Sequence, residues 1–247
     1  MYEMSSGPSA TEPSLIWLRE EPCSRKPGHS WERIAEVAVA IADTEGFEAV
    51  SMRRVAQELG AGTMTLYHYV ANKDELVTLM LNAVMGEVLV PDDELPEEWR
   101  PAITRIAIAT RESLRRHRWT LDLLDEPRPG PNKMRHLEQS LQAMAKAGLD
   151  PRAQLEAIVL IDEYVFGFAI REAQEPDQDG PGWPADVREF FQRELDSGEF
   201  PNARALLGED FEEGVAAIRE VFREEGRFER GLERLLDGIE AGFDASR

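Results

Sequence analysis

The residues best suited to specific chemistry lie in the run from Ser51 to Leu76, SMRRVAQELGAGTMTLYHYVANKDEL. Thr65, Tyr67 and His68 place hydroxyl and imidazole groups on one short segment. Such groups hydrogen-bond to base edges in the DNA major groove, and a threonine methyl can contact a thymine methyl. The side chains suited to phosphate contacts around them are Arg53, Tyr69 and Lys73. The run is therefore predicted to bind double-stranded DNA.

A helix-turn-helix would position these side chains. Ser51 can cap a short helix that stops at Gly60, where a tight exit needs a positive φ. Residues 61–62 then form the turn, and Thr63 or its neighbour opens a helix that reaches about Val70. Two short helices joined by a glycine-containing turn are typical of DNA-binding domains of this kind.

The rest of the chain also has helical periodicity. Ser30 can cap a first helix, which Gly46 ends. Apolar residues at spacings of three and four predict further helices at 73–89, 97–117, 131–147, 151–173, 185–196 and 211–243, the last broken near Gly226. No run alternates as a strand would. The predicted fold class is therefore all-α.

The run from Arg53 to Leu76 resembles the signature of the tetracycline-repressor family. The residues that carry the resemblance are Arg53, Ala56, Leu59, Gly60, Thr65, Leu66, Tyr67, His68, Tyr69, Val70, Asn72, Lys73, Glu75 and Leu76. The resemblance implies a homodimer in which three N-terminal helices bind DNA and a fourth links them to C-terminal helices that bind an effector and dimerise. Gly62 and Met64 depart from the family's usual residues, which alters sequence preference more than binding mode.

The resemblance also implies roles for single residues. Base-facing positions match Thr63, Thr65 and His68, and positions near bases or the backbone match Arg53, Tyr67, Tyr69 and Lys73. Ser51 completes the predicted DNA-binding set. The tail at 228–239 is similar to the closing helix of the tetracycline repressor. Neither tetracycline nor magnesium is carried over, and no effector-binding residue is assigned.

Three segments follow from this organisation. Residues 1–29 are interpreted as a flexible arm, 30–75 as the helix-turn-helix domain, and 76–247 as the effector-binding and dimerisation domain. The arm contains four prolines and one apolar patch, residues 15–18. An alternative for that patch is docking on the body of the protein or on a partner.

Charge distribution decides which part of the chain can approach DNA. The net charge is −20, yet residues 25–73 contain six basic and six acidic residues. Only this neutral stretch can approach a phosphate backbone without strong repulsion. One cysteine, Cys23, excludes an intrachain disulfide, and no secretory signal is visible, so a cytoplasmic location is expected. The apolar run 157–170 is too short to span a membrane.

Several residues outside the motif have more than one interpretation. His117 and His136 are predicted to be exposed or core-edge histidines, with an effector contact as the alternative. Tyr164, Phe166 and Phe168 fit core or dimer packing, with an effector-binding wall as the alternative. The predicted dimer interface joins the helices at 151–173 and 209–243 from both subunits, through Leu155, Ile158, Val159, Ile218, Val221, Phe222 and Leu235.

The predicted function is a transcriptional regulator, in particular a repressor released from a palindromic operator by a small molecule. Two-fold symmetry would set the recognition helices about 34–36 Å apart, one turn of DNA. We expect no catalytic residue, metal or cofactor. A helical enzyme is disfavoured because no nucleophile-base pair or metal spacing is apparent. A helical adaptor is disfavoured because it would not need Thr65, Tyr67, His68 and Lys73 on one exposed helix pair.

Overall fold

The computed structural model describes residues 15–22, 29–124, 128–174 and 183–245. Its described helices are α1 Trp31–Glu45, α2 Met52–Glu58, α3 Thr63–Tyr69, α4 Lys73–Val88, α5 Trp99–Arg116, α6 Pro131–Ala145, α7 Pro151–Gln174, α8 Ala185–Asp196, α9 Pro201–Leu207, α10 Phe211–Arg223 and α11 Arg227–Ala245. Short 3-10 turns occur at Ile16–Leu18, Phe47–Ala49 and Arg118–Leu123. The described residues contain no strand, and the all-α prediction is confirmed.

Local signals explain the ends of the first helices. The Ser30 hydroxyl accepts a hydrogen bond from the Arg33 amide at 3.1 Å and so caps α1. Gly46 follows α1 with a φ of 89°, a conformation that favours glycine. Asn72 caps α4 by accepting from the Glu75 amide at 2.9 Å. The predicted ends of α1 and the predicted start of α4 are confirmed. Each of them depends on a single residue at the helix end.

The chain divides into two compact units, Met1–Ala169 and Ile170–Arg247. In the first unit α4 is the central helix, packed against α1, α5 and α6. Its buried side chains, which include Leu76, Leu79 and Met80, share one core with α1, α2 and α3. Polar links join α6 to the end of α4, where the Gln139 amide bonds both backbone groups of Val90. The DNA-binding helices therefore rest on the helices that follow them.

The second unit, described by itself, contains α8 to α11 and the end of α7. Phe191, Leu195, Phe211 and Val215 form a small core there. Gly214 lies directly against the backbone carbonyl of Leu207, so any Cβ at that position would clash. The helix α9 was not predicted from the sequence, whereas the predicted break near Gly226 is present between α10 and α11.

Helix α7 exposes part of an apolar face on the single chain. Leu155, Val159 and Leu160 are each close to half exposed. Ile158 differs from its predicted role, because it is buried within the chain and is not available to a partner. None of the described helices combines the length and the apolar composition that a membrane crossing requires.

Candidate nucleic-acid interface and effector cavity

The helices α2 and α3 form the predicted helix-turn-helix. The Ser51 hydroxyl accepts from the Arg54 amide at 3.2 Å and begins α2. Gly60 has a φ of 64°, and the Ala61 amide donates to the Ala56 carbonyl at 2.9 Å, which closes the turn. Val55 and Ala56 are fully buried where the two helices cross. The turn therefore holds α3 at a fixed angle to α2.

Helix α3 has one buried side and one open side. Leu66 and Tyr69 anchor it in the core. Thr65, Tyr67 and His68 lie exposed on the other side, and the Tyr67 side chain is 45% exposed. A helix anchored in this way can enter the major groove with its exposed groups facing the bases.

The other predicted DNA-binding residues occupy different environments. Ser51 and Arg53 are exposed on α2, and Thr63 is half-buried at the start of α3. Lys73 is exposed at the start of α4, with its ammonium 5.1 Å from the centre of the Phe47 ring. These positions leave the groups available to DNA.

Tyr69 is the exception in the predicted set. It is only 5% exposed, so its ring lies beneath the protein surface. Its backbone carbonyl accepts hydrogen bonds from Trp31 Nε1 and from Arg19, both at 2.9 Å. A direct phosphate contact from Tyr69 stays a prediction that this position disfavours, and a role in anchoring α3 fits its surroundings.

Some of the basic side chains in the stretch expected to approach DNA are paired with carboxylates of the protein itself. Arg54 bonds Glu45 at 2.6 Å and Glu58 at 2.7 Å, and these hydrogen bonds raise its pKa. The same contact with Arg54 lowers the pKa of Glu45. Arg33 pairs with Glu36 at 2.9 Å. Of the six basic residues between 25 and 73, Arg25 and Lys26 lie outside the described residues. Among the four that are described, Arg53 and Lys73 have no carboxylate partner in the described parts of the chain.

A segment before α1 supports the recognition helix, and the sequence left this open. Ile16 is buried in the core, and the Trp17 ring packs edge-on against Trp31 at 6.0 Å. Arg19 bonds Glu75 at 2.6 Å as well as the Tyr69 carbonyl. The apolar residues at 15–18 therefore dock on the body, which favours the alternative interpretation over a loose arm for this part.

A buried polar junction joins α1 to the 3-10 turn Arg118–Leu123. His117 Nδ1 lies 2.9 Å from Asp43 Oδ1, and its Nε2 lies 3.0 Å from Glu87 Oε2. Trp119 Nε1 donates to Asp43 at 2.9 Å, and its ring stacks on Phe47 with centroids 5.6 Å apart. His117 is thus fully enclosed, whereas the sequence predicted an exposed or core-edge histidine. A polar pairing across 74 residues leaves no local pattern by which to find it.

A cavity of about 240 Å³ lies between α4, α5, α6, α7 and the turn Arg118–Leu123. Its apolar wall consists of Leu81, Val84, Met85, Val88, Leu114, Leu123, Leu124 and Phe166. Its polar lining consists of Thr110, Ser113, Thr120, Arg128, Lys133, His136 and Asp162. A mainly apolar cavity with a few convergent polar groups is typical of a small-molecule site.

The titratable groups of the cavity are shifted by burial. Burial raises the pKa of Asp162 to about 6, although the nearby Lys133 ammonium acts in the opposite direction. Burial lowers the pKa of His136, and Lys133 adds to that effect. At neutral pH the imidazole is therefore uncharged while the carboxyl is mostly ionised. Of the aromatic residues singled out on α7, Phe166 lines the cavity.

Comparison with known proteins identifies relatives along most of the chain. The family model for bacterial regulatory proteins of the tetR family matches residues 34–80, and the model for the tetracyclin repressor-like C-terminal domain matches 91–243. The HTH-type transcriptional repressor DrrR1 of Streptomyces coeruleorubidus is 37% identical, over 95% of this chain and 87% of DrrR1. A transcriptional regulator of Saccharopolyspora erythraea is 34% identical, over 76% of this chain and 83% of its own.

Solved structures agree with these matches. Apo ActR from Streptomyces coelicolor has a TM-score of 0.66 and 27% identity, covering 90% of this chain and all of ActR. ActR in complex with actinorhodin has a TM-score of 0.64 and 26% identity, covering 88% of this chain and 98% of ActR. The similarity therefore includes both the DNA-binding helices and the helices that follow them.

Proposed function

The chain belongs to the tetracycline-repressor family of bacterial regulatory proteins, and we propose that it is a transcriptional repressor that a small-molecule effector releases from its operator. The observation that carries the proposal is the exposed side of α3, which presents Thr65, Tyr67 and His68 on a helix anchored from below. Those groups have the chemistry of base readout. The match to a relative named as a repressor supports repression rather than activation.

The proposed DNA contacts are divided by function. Thr63, Thr65, Tyr67 and His68 would contact bases from the recognition helix. Ser51, Arg53 and Lys73 would position that helix by contacting phosphates, which fix register without reading sequence. The acidic remainder of the chain repels DNA, so binding depends on these few groups and on the positive end of the α3 dipole.

The proposed assembly is a homodimer. Leu155, Val159 and Leu160 on α7 and Val221 on α10 are exposed on the single chain, and exposed apolar faces of this kind mark interaction surfaces. Helices at 151–173 and 209–243 would pair across a two-fold axis. The recognition helices would then lie about 34–36 Å apart and fit a palindromic operator.

The proposed effector site is the cavity in the first unit, because one of its walls also contacts α1. The turn Arg118–Leu123 contributes Thr120 and Leu123 to the cavity. The same turn carries Trp119, which stacks on Phe47 beside Lys73. An effector that displaced the turn would move groups next to a proposed phosphate contact. Release then requires that the effector binds the displaced state more tightly than the DNA-bound state.

A blocked cavity tests this mechanism. Sequences selected from random duplex DNA would supply the operator, and a compound screen would supply a releasing ligand. Leu124 lines the cavity and is partly exposed, so Leu124→Trp should be tolerated and should raise the compound concentration needed for release at least about tenfold. Leu206→Trp, on the exposed surface of α9, is the matched control and should behave as the wild type. Equal release from both variants would reject the cavity as the effector site.

A further inference from the structure

We propose that the cavity binds an uncharged compound of about two fused rings that carries a hydroxyl group at its buried end. This inference depends on the proposed function only for the identity of the site. It concerns what the site recognises, and it can fail while effector-controlled DNA release stands.

The size of the cavity limits the ring system. An apolar cavity of roughly 150 Å³ holds one benzene ring. The present cavity, at about 240 Å³, lies below the range of roughly 300–1,000 Å³ that is typical for drug-sized ligands. Its apolar wall includes Leu81, Val84 and Phe166, which suit the faces of a flat ring system. A bicyclic skeleton therefore fills the space.

Two buried polar atoms at the cavity need a partner. Ser113 and His136 are 3% and 9% exposed, and the Ser113 hydroxyl and His136 Nδ1 have no hydrogen-bond partner within the described parts of the chain. Such atoms are rare in folded proteins because an unpaired buried polar group costs about 1–3 kcal/mol. Both residues line the cavity. A ligand in the cavity can supply what the protein does not.

Two other hydroxyl groups in the cavity lining, unlike that of Ser113, already have hydrogen-bond partners. Thr110 Oγ1 donates to the Ile106 carbonyl at 2.9 Å, and Thr120 Oγ1 donates to the His117 carbonyl at 2.8 Å. Both threonines line the cavity, but their hydroxyl protons are already used. Ser113 and His136 are therefore the recognition groups, and a ligand hydroxyl suits them because it can donate and accept at once.

The lining of the cavity carries charges of both signs. Arg128 binds the backbone carbonyl and the carboxylate of Asp74, at 3.0 and 3.4 Å. The Lys133 ammonium lies close enough to influence the ionisation of Asp162, and His136 is neutral at pH 7. Lys133 and Asp162 both line the cavity, so a charged ligand of either sign would lose its hydration and would meet a like charge as well as an opposite one, which costs several kcal/mol. An uncharged ligand avoids this cost.

Four probes that share one ring system test the proposal. Equilibrium dialysis of the full-length protein would compare 2-naphthol, naphthalene, 2-naphthoate and 2-naphthylmethylammonium. We expect 2-naphthol to bind about fivefold tighter than naphthalene, the effect of one net hydrogen bond. The two charged probes should bind at least about tenfold more weakly than 2-naphthol. Without available partners the hydroxyl would instead weaken binding, because its desolvation would be uncompensated.

Variants test whether Ser113 and His136 cause the tighter binding of 2-naphthol relative to naphthalene. Ser113→Ala and His136→Leu should each reduce the ratio of the 2-naphthol affinity to the naphthalene affinity towards one. His136→Asn should restore part of this ratio, because it returns a polar atom near the Nδ1 position. Thr110→Val is the matched control, because it removes a hydroxyl that is already bonded, and it should retain the preference. Urea unfolding of each variant identifies any that no longer fold, and the wild-type comparison of probes needs no variant.

The outcomes separate the two proposals. Naphthalene binding as tightly as 2-naphthol, a charged probe binding tightest, or no binding of any probe would overturn the inference about the ligand. Tight, Ser113-dependent binding of 2-naphthol supports it even if the operator stays bound. In that case the link between this cavity and DNA release would be what fails.

Discussion

His68 and His117 show how differently two regions of this protein use the same residue type. On the open side of α3, His68 is exposed beside Thr65 and Tyr67. At the junction behind α1, His117 is enclosed, with a carboxylate at hydrogen-bond distance from each ring nitrogen. Within the described residues, the hydrogen-bonding groups of the recognition surface have no partner, whereas both ring nitrogens of His117 are used to hold helices together.

The largest effect is expected on the free energy of unfolding, when the junction around His117 and Trp119 is disrupted. Trp119→Ala removes a stacked ring and the hydrogen bond to Asp43, and it should lower the free energy of unfolding by about 3–5 kcal/mol. Urea denaturation measures this loss. Trp119→Phe keeps a ring but no N–H group and should cost only about 1 kcal/mol. A neutral Trp119→Ala variant would show that the junction does not hold the turn to α1.

The recognition surface should show the opposite behaviour. Tyr67→Ala and Lys73→Ala should each weaken operator binding by about 1–3 kcal/mol while changing the free energy of unfolding by no more than about 0.5 kcal/mol. Lys73→Ala should also reduce the slope of log affinity against log salt by about one. Fluorescence anisotropy with labelled operator at several salt concentrations tests both. Arg115→Ala, on the exposed surface of α5, is a control that should bind normally.

The cavity is a third case, in which polar groups are buried but incompletely satisfied. Because the pKa of Asp162 in the folded protein is about 6, above its ordinary value of 3.8, the folded state binds the proton more tightly than the unfolded state. Stability is therefore lost as pH rises from about 4 to 6. Asp162→Asn should be about 1–2 kcal/mol more stable than the wild type at pH 7, with no difference near pH 3.5. A difference that does not vary with pH would contradict this environment for Asp162.

The smallest effect on stability is expected from removing either of two helix caps. Ser30→Ala and Ser51→Ala each remove a hydroxyl that caps a helix, and each should lower stability by about 1 kcal/mol. Only Ser51 is proposed to contact DNA, so only Ser51→Ala should weaken operator binding further at a temperature where both variants are folded. Equal affinities of the two variants would remove Ser51 from the DNA-binding set.

What the sequence could predict follows from how local each signal is. The ends of α1 and α2 depend on Ser30 and Ser51, and α8 was predicted with its observed bounds. Helix α9 was missed because it is a short element that depends on packing against α10 at Gly214, not on its own periodicity. The two 3-10 turns that flank α1 were missed for the same reason.

The candidate sites divide in the same way. The residues of α3 could be predicted because they are consecutive and their chemistry is visible in the chain. The pairing of Arg54 with Glu45 on the preceding helix could not, and together with the local pair to Glu58 it removes one of the cations counted for DNA. The orphaned atoms of Ser113 and His136 depend on four helices and a turn meeting around one space. Only the folded chain reveals which buried polar groups lack partners.

Base reading by the exposed side of α3 is tested by affinity selection from random duplex DNA with the wild type and with a Thr65→Ala, Tyr67→Ala, His68→Ala triple variant. We predict that the wild type enriches a two-fold symmetric sequence whose half-sites lie about one helical turn apart. The folded triple variant should enrich none while keeping weak, salt-sensitive binding. Enrichment of the same sequence by both proteins would contradict the claim that the exposed side of α3 reads the operator.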